Sequence, residues 1–130
     1  MYDKVKDSGE RQEFVTGSVR DKQEGKGRYD LIPPYPLKRL AVHYENGARK
    51  YSEWNWSKGQ PLSRYLDSTL RHIYAYMGGD RSEDNLAAAV WNLFSFIHTE
   101  EMIRIGKLPA ELDNYPPPGT FNKIEDDKNL

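Results

Sequence analysis

Chemistry in this chain concentrates in the stretch HYENGARKYSEWNWSKG, residues 43–59. Glu45 offers a carboxylate for a metal ion, Lys50 a cation for phosphate, and Asn55 and Trp56 an amide and an indole for a base. Gly47 sits in an otherwise good helical pattern, where glycine costs about 0.5 to 1 kcal/mol relative to alanine, so it points to close approach by another backbone or a ligand. The plainer alternative for the stretch is a capped helix followed by a tryptophan-anchored loop.

A second group lies in LSRYLDSTLRHIYAYM. At about 100° per residue, His72 falls at the edge of an apolar stripe beside Tyr65, Ser68, Thr69 and Tyr76, which points it into a polar seam. Asp67 has Arg64 three residues before it and Arg71 four after, the spacing of an intrahelical ion pair as much as of a ligand site. Asp80, Glu83 and Asp84 gather before the next helix, where acids complement the helix dipole or, with carboxylates from other helices, hold Mg²⁺. Asn85, Asn92 and Thr99 then recur every seventh residue beside small side chains, as helix-to-helix hydrogen-bonding groups or as the wall of a ligand site. The glycine-rich phosphate loops and the His-Glu-x-x-His zinc motif are absent.

Three helical patterns must position these groups. The first follows Pro33, Pro34 and Pro36 and places Leu37, Leu40, Ala41, Tyr44, Ala48 and Tyr51 on one face. The second opens at Pro61 and runs to Gly78 and Gly79. The third is expected to start at Asp80, with Glu83 completing a capping box, and to end at Gly106. Trp91 and Phe94 lie off its stripe, so it is apolar nearly all round and is expected to be central, packed on every side. Three helices make a thin core, and a second chain is expected to complete it. No stretch reads as a strand. The expected organisation is an extended arm over residues 1–30, an all-α helical domain over 31–108 and a proline-rich polar tail over 109–130.

Composition bounds the partners. With 19 Lys+Arg against 20 Asp+Glu, a formal charge of −1 leaves no footprint for nucleic acid or anionic membrane. No apolar run is long enough for a membrane span and no signal peptide is visible, so a soluble cytoplasmic protein is expected. Zero cysteines exclude disulfides, thiolate zinc sites and cysteine nucleophiles. A hard ion on oxygen ligands fits better than zinc.

The blocks EGKGRYDLIPP, HYENGARKYSEWNW, LSRYLDSTLRHIYAYMGGDRSEDNLAAAVWN and IHTEEMI, in that order over about residues 16–112, resemble the phage dATP/dGTP diphosphohydrolase family, a MazG-like group. The resemblance implies an all-α MazG-like bundle completed by oligomerisation, as a homodimer or homotetramer. It also implies a pyrophosphohydrolase that uses Mg²⁺ or Mn²⁺ and converts a purine deoxynucleoside triphosphate to the monophosphate and pyrophosphate, in phages supplying dGMP for 2-aminoadenine synthesis. Carried onto this chain, it suggests Glu45, Asp67 and Asp84 for metal, His72 and Asp80 for catalysis, and Lys50, Asn55, Trp56, Arg64, Arg71 and Asn92 for nucleotide. There is one departure: MazG proteins carry a Glu-x-x-Glu pair on one helix and Glu-x-x-Asp on the next, and here the second helix has Asp67 and His72 while the third has Asn92. Two other readings compete. A non-catalytic helical interaction module of a phage would use the polar seam only for helix register. An HD-type phosphohydrolase lacks the adjacent His-Asp pair it needs.

Overall fold

The computed structural model describes residues 5–121. They divide between Pro33 and Pro34 into two compact units. Part of the sequence's closing polar tail, residues 122–130, lies outside the described residues.

The first unit holds the feature that periodicity did not anticipate, an antiparallel hairpin of β1 (Arg11–Glu13) and β2 (Val19–Asp21) with Gln12 opposite Arg20. Strands of three residues are too short to establish a period of two, which is why the pattern gave no sign of them. The turn chemistry was there to be read. Gly17 takes φ 85° while its N–H donates to the Phe14 carbonyl at 2.8 Å and the Phe14 N–H donates to Ser18, a three-residue loop of the type that needs glycine at the left-handed position. Val15 and Val19 remain exposed, so the hairpin has no core of its own.

The second unit contains α1 (Pro34–Lys50), α2 (Leu62–Met77) and α3 (Asn85–Arg104), with a 3-10 turn (Asn55–Lys58) between the first two and a short turn between the last two. The all-α expectation holds for the architecture, with the hairpin as the one sheet among the described residues. Helix α3 packs on both α1 and α2. The start of α3 differs from the capping-box expectation. Asp80 accepts from the Ser82 N–H (2.8 Å) and hydroxyl (2.6 Å) in a local turn, and the helix opens four residues later, where Asp84 accepts from the Ala87 N–H at 3.1 Å.

The buried face of α3 is built from small and polar residues: Ala88, Ala89, Asn92, Ser95 and Thr99. Thr99 donates to the Tyr65 hydroxyl of α2 at 3.2 Å, one of the helix-to-helix bonds anticipated for the heptad-spaced polar positions. Asn92 instead bonds the Ala88 carbonyl of its own helix at 2.8 Å. Large apolar residues lie outside. Leu93, Phe94 and Ile97 are 41%, 50% and 59% exposed, so within one chain α3 is covered on one face only.

Residues after α3 return to the start of α2. Asn114 accepts from the Ser63 N–H (3.0 Å) and donates to its hydroxyl (2.7 Å), satisfying polar groups at a helix N-terminus that has no cap of its own. Gly59, at φ 81°, lets Leu108 and Leu112 pack directly on the preceding loop, since a Cβ there would lie 2.9 Å from Leu108.

Candidate functional site

Helical spacing brings one face of α1 and one face of α2 to the same open space. On α1 the residues are His43, Tyr44, Gly47 and Lys50, with Tyr51 just after the helix; on α2 they are Arg64, Ser68, Arg71 and His72. Trp91 and Asn92 of α3 form the floor, and the loop residues Asn55, Trp56 and Gln60 close one end. The cavity is about 590 Å³, within the range of small-molecule sites.

Aromatic contacts set its shape. Trp91 lies 5.7 Å from His43, 6.1 Å from Tyr44 and 6.5 Å from Tyr65, centroid to centroid, which ties the floor to both walls. Trp56 meets Tyr44 edge-on at 6.0 Å and His98 at 5.2 Å, so the loop after α1 is anchored by the indole, as the tryptophan spacing suggested. Burial raises the Tyr44 phenol above its ordinary value, and burial with the nearby His72 lowers His43, so both side chains are uncharged at neutral pH.

The cavity is electrostatically one-sided. Lys50, Arg64 and Arg71 line it, against the single carboxylate Glu83. Arg71 is bridged to Asp67 at 2.6 Å, whereas among the described residues neither Lys50 nor Arg64 has a carboxylate within ion-pairing distance. Two unneutralised cations beside aromatic rings, in a chain whose formal charge is −1, make a local site for an anion that also carries a flat ring.

His72 is held in one orientation. Asn85 is 3% exposed and its amide nitrogen donates to the Asp80 carbonyl at 3.2 Å, leaving Oδ1 to face His72 Nδ1 at 2.8 Å. An amide oxygen only accepts, so Nδ1 carries a proton, and in the neutral imidazole Nε2 is then the acceptor. Glu83 Oε1 stands 3.7 Å from the same Nδ1. The heptad position Asn85 thus fixes the tautomer of a cavity histidine, a role that helical spacing could pair with α2 but not with a particular side chain.

Of the residues named from the sequence, Lys50, Asn55, Trp56, Arg64, Arg71, His72 and Asn92 share this cavity. The carboxylates do not join them. Glu45 is ion-paired to Arg49 on its own helix, and Asp67 to Arg71. Asp84 is gripped by Arg39 through two bonds of 2.8 and 2.6 Å and borders a smaller neighbouring recess of about 310 Å³, while Asp80 is engaged with Ser82. The Arg39 guanidinium, foremost, holds Asp84 down to about 2. Tyr44, Trp91, Gln60 and Glu83 also line the cavity; Tyr44 read as core stripe, Trp91 as a residue off the stripe of the third helix, Glu83 as a capping-box or metal-holding acid, and Gln60 carried no signal.

The fit to a divalent ion follows from the same inventory. Among the described residues no three His, Asp or Glu side chains converge as ligands, and of the acids named for metal or catalysis Glu45, Asp67 and Asp84 are bound to arginines and Asp80 to a turn. The described residues of one chain do not assemble a cage for Mg²⁺ or Mn²⁺.

No helix of the described residues is long and apolar enough to cross a membrane. The family model described as dATP/dGTP diphosphohydrolase, N-terminal, matches residues 16–106. No curated protein and no solved structure gives a significant match. The matched segment covers all the cavity residues and most of the chain, and the chain belongs to this diphosphohydrolase family.

Proposed function

We propose that the protein is a pyrophosphohydrolase of purine deoxynucleoside triphosphates, converting dGTP or dATP to the monophosphate and pyrophosphate. The observation that carries this reading is the pairing, in one 590 Å³ cavity, of Lys50 and Arg64, which have no carboxylate partner among the described residues, with the rings of Tyr44, Tyr51, Trp56 and Trp91. A triphosphate needs the first group and a purine needs the second. Arg64, Lys50 and Arg71 bind the phosphates and offset the charge that develops as the bond between the α- and β-phosphates breaks. Asn55 and Asn92 supply amides for the ribose and base. His72, with Nδ1–H tied to Asn85, presents Nε2 as the acceptor for a proton of the attacking water, and Asn85 is its positioning residue.

The family resemblance carries Mg²⁺ or Mn²⁺ as the cofactor, and such an ion would offset phosphate charge when bound. The described side chains of one chain do not gather a cage for it, and the roles above belong to the protein's own groups. The same reading puts the enzyme in the cytoplasm, of the host cell if it is phage-encoded, supplying dGMP for 2-aminoadenine synthesis. It also makes the protein a homodimer or homotetramer. Leu93, Phe94 and Ile97 of α3 are exposed, as are Leu70, Tyr74 and Met77 of α2, an apolar surface of the kind that a second copy buries. Sedimentation should give at least twice the 15.1 kDa chain mass at micromolar concentration, and a folded monomer would remove that part of the proposal.

The test of activity is pyrophosphate release from dGTP, dATP, dCTP and dTTP, with divalent ion and with EDTA. Purine substrates should release pyrophosphate and pyrimidines should do so at least about tenfold more slowly. No release from any of the four would favour the competing reading as a helical interaction module.

A further inference from the structure

Gly47 is the one residue of the α1 cavity face whose presence neither helix formation nor packing explains. It lies inside the helix, its carbonyl accepts the Tyr51 N–H at 2.9 Å, and its backbone is ordinary, so conformation does not demand glycine. Packing does not demand it either. A Cβ built there meets no atom within 4 Å, unlike Gly59, where it would strike Leu108. The space it opens into is the cavity itself.

Helical spacing makes that gap a slot. Tyr44 precedes Gly47 by three residues on α1, and Tyr51, the residue after the helix, follows by four with its ring 5.2 Å from the Lys50 ammonium; both tyrosines line the cavity that Gly47 opens into. Tyr44 is fixed by its contacts with Trp56 and Trp91. Lys50 and Arg64 border the same cavity and are the phosphate-seeking groups. A flat ring slid between two aromatic side chains needs the backbone beneath it clear, and a methyl group there would lift it by about the thickness of a carbon.

We propose that Gly47 forms the floor of the purine-binding slot, with the base resting on the α1 backbone between Tyr44 and Tyr51 and the phosphates directed toward Lys50 and Arg64. This inference rests on the nucleotide reading of the cavity and names the part of it that selects a base. It makes Gly47 a specificity-determining position and predicts opposite signs for one substitution.

The experiment is Gly47→Ala in the full chain, with two probes that bind without turnover: α,β-methylene-dGTP, which carries the base, and inorganic tripolyphosphate, which does not. Trp56 and Trp91 line the cavity, and their fluorescence reports both titrations. The variant should melt higher by about 2 to 6 °C, because alanine is the better helix former. Its Kd for the methylene analogue should rise about tenfold or more, while its Kd for tripolyphosphate should stay within about twofold. Unchanged affinity for the analogue overturns the proposal, as does equal weakening of both probes. A lower melting temperature with loss of assembled mass also overturns it, showing that Gly47 packs against a second copy. Wild-type protein that binds neither probe removes the nucleotide reading itself, a result distinct from one in which the wild type binds and the alanine variant binds equally well.

Discussion

The cationic wall of the cavity and the acid-bearing outer surface use the same residue types in opposite ways. Outside, carboxylates and arginines neutralise one another: Glu45 with Arg49, Asp84 with Arg39, Glu101 with Arg104, while Arg71 lines the cavity and is also paired with Asp67. Inside, Lys50 and Arg64 face open space without such partners among the described residues. Pairing, rather than residue type, decides which charges a ligand can use. Exposed pairs one helical turn apart are worth about 0 to 1 kcal/mol and do little beyond holding each other. An unpaired cation in a partly enclosed pocket keeps its field for the anion that enters.

The largest effect should come from the cavity side. Arg64→Ala should lower kcat/KM for dGTP about 10² to 10³-fold with the melting temperature unchanged, because the side chain serves the ligand and not the fold. A loss below about threefold would say that Arg64 is another surface charge. His72→Gln should cost about 10² to 10⁴ in kcat, and Asn85→Leu should reproduce much of that loss while shifting the pH profile, since it frees the imidazole tautomer. If Asn85→Leu changes only stability, Asn85 is a helix tie and nothing more.

The acids give the middle of the range and the sharpest check on the contrast. Paired as it is with Arg49, Glu45 should tolerate replacement by Gln with less than about threefold change in kcat. A loss of about 10² or more would show that it leaves Arg49 to serve a metal ion. Asp84 contributes differently, as the N-cap of α3. Its folded pKa, near 2, lies below the ordinary 3.8, so its stabilisation is complete above about pH 4 and is lost as pH falls toward 2. Asp84→Ala should cost about 1 kcal/mol at pH 7, mainly through the cap, and should flatten the melting profile between pH 4 and 2. The smallest effect belongs to the first unit: Gly17→Ala strains the hairpin turn and should leave the melting of the helical unit unchanged.

Much of the frame was legible in residue pattern. The three helices lie close to where proline, apolar spacing and the Gly78-Gly79 and Gly106 stops put them. Seven of the candidate site residues converge on one cavity, five because helical spacing fixes which positions share a face and Asn55 and Trp56 because the loop after α1 folds over its end. What spacing does not contain is the competition for each polar group. Asp80 offers the same side chain to a helix and to Ser82, and the nearer hydroxyl takes it. Asp84 is forty-five residues from Arg39, a pairing with no local signature. The apolar sequence of α3 was legible too, but it did not say that small polar residues would turn inward and Phe94 and Ile97 outward.

The most direct measurement is chromatographic product analysis of dGTP turned over by the wild type and by a Lys50→Ala, Arg64→Ala double variant of matched melting temperature. The account predicts dGMP and pyrophosphate in equal amounts from the wild type and a rate at least about 10²-fold lower from the double variant. Formation of dGDP and phosphate, release of deoxyguanosine and tripolyphosphate, or undiminished turnover by the double variant would contradict it.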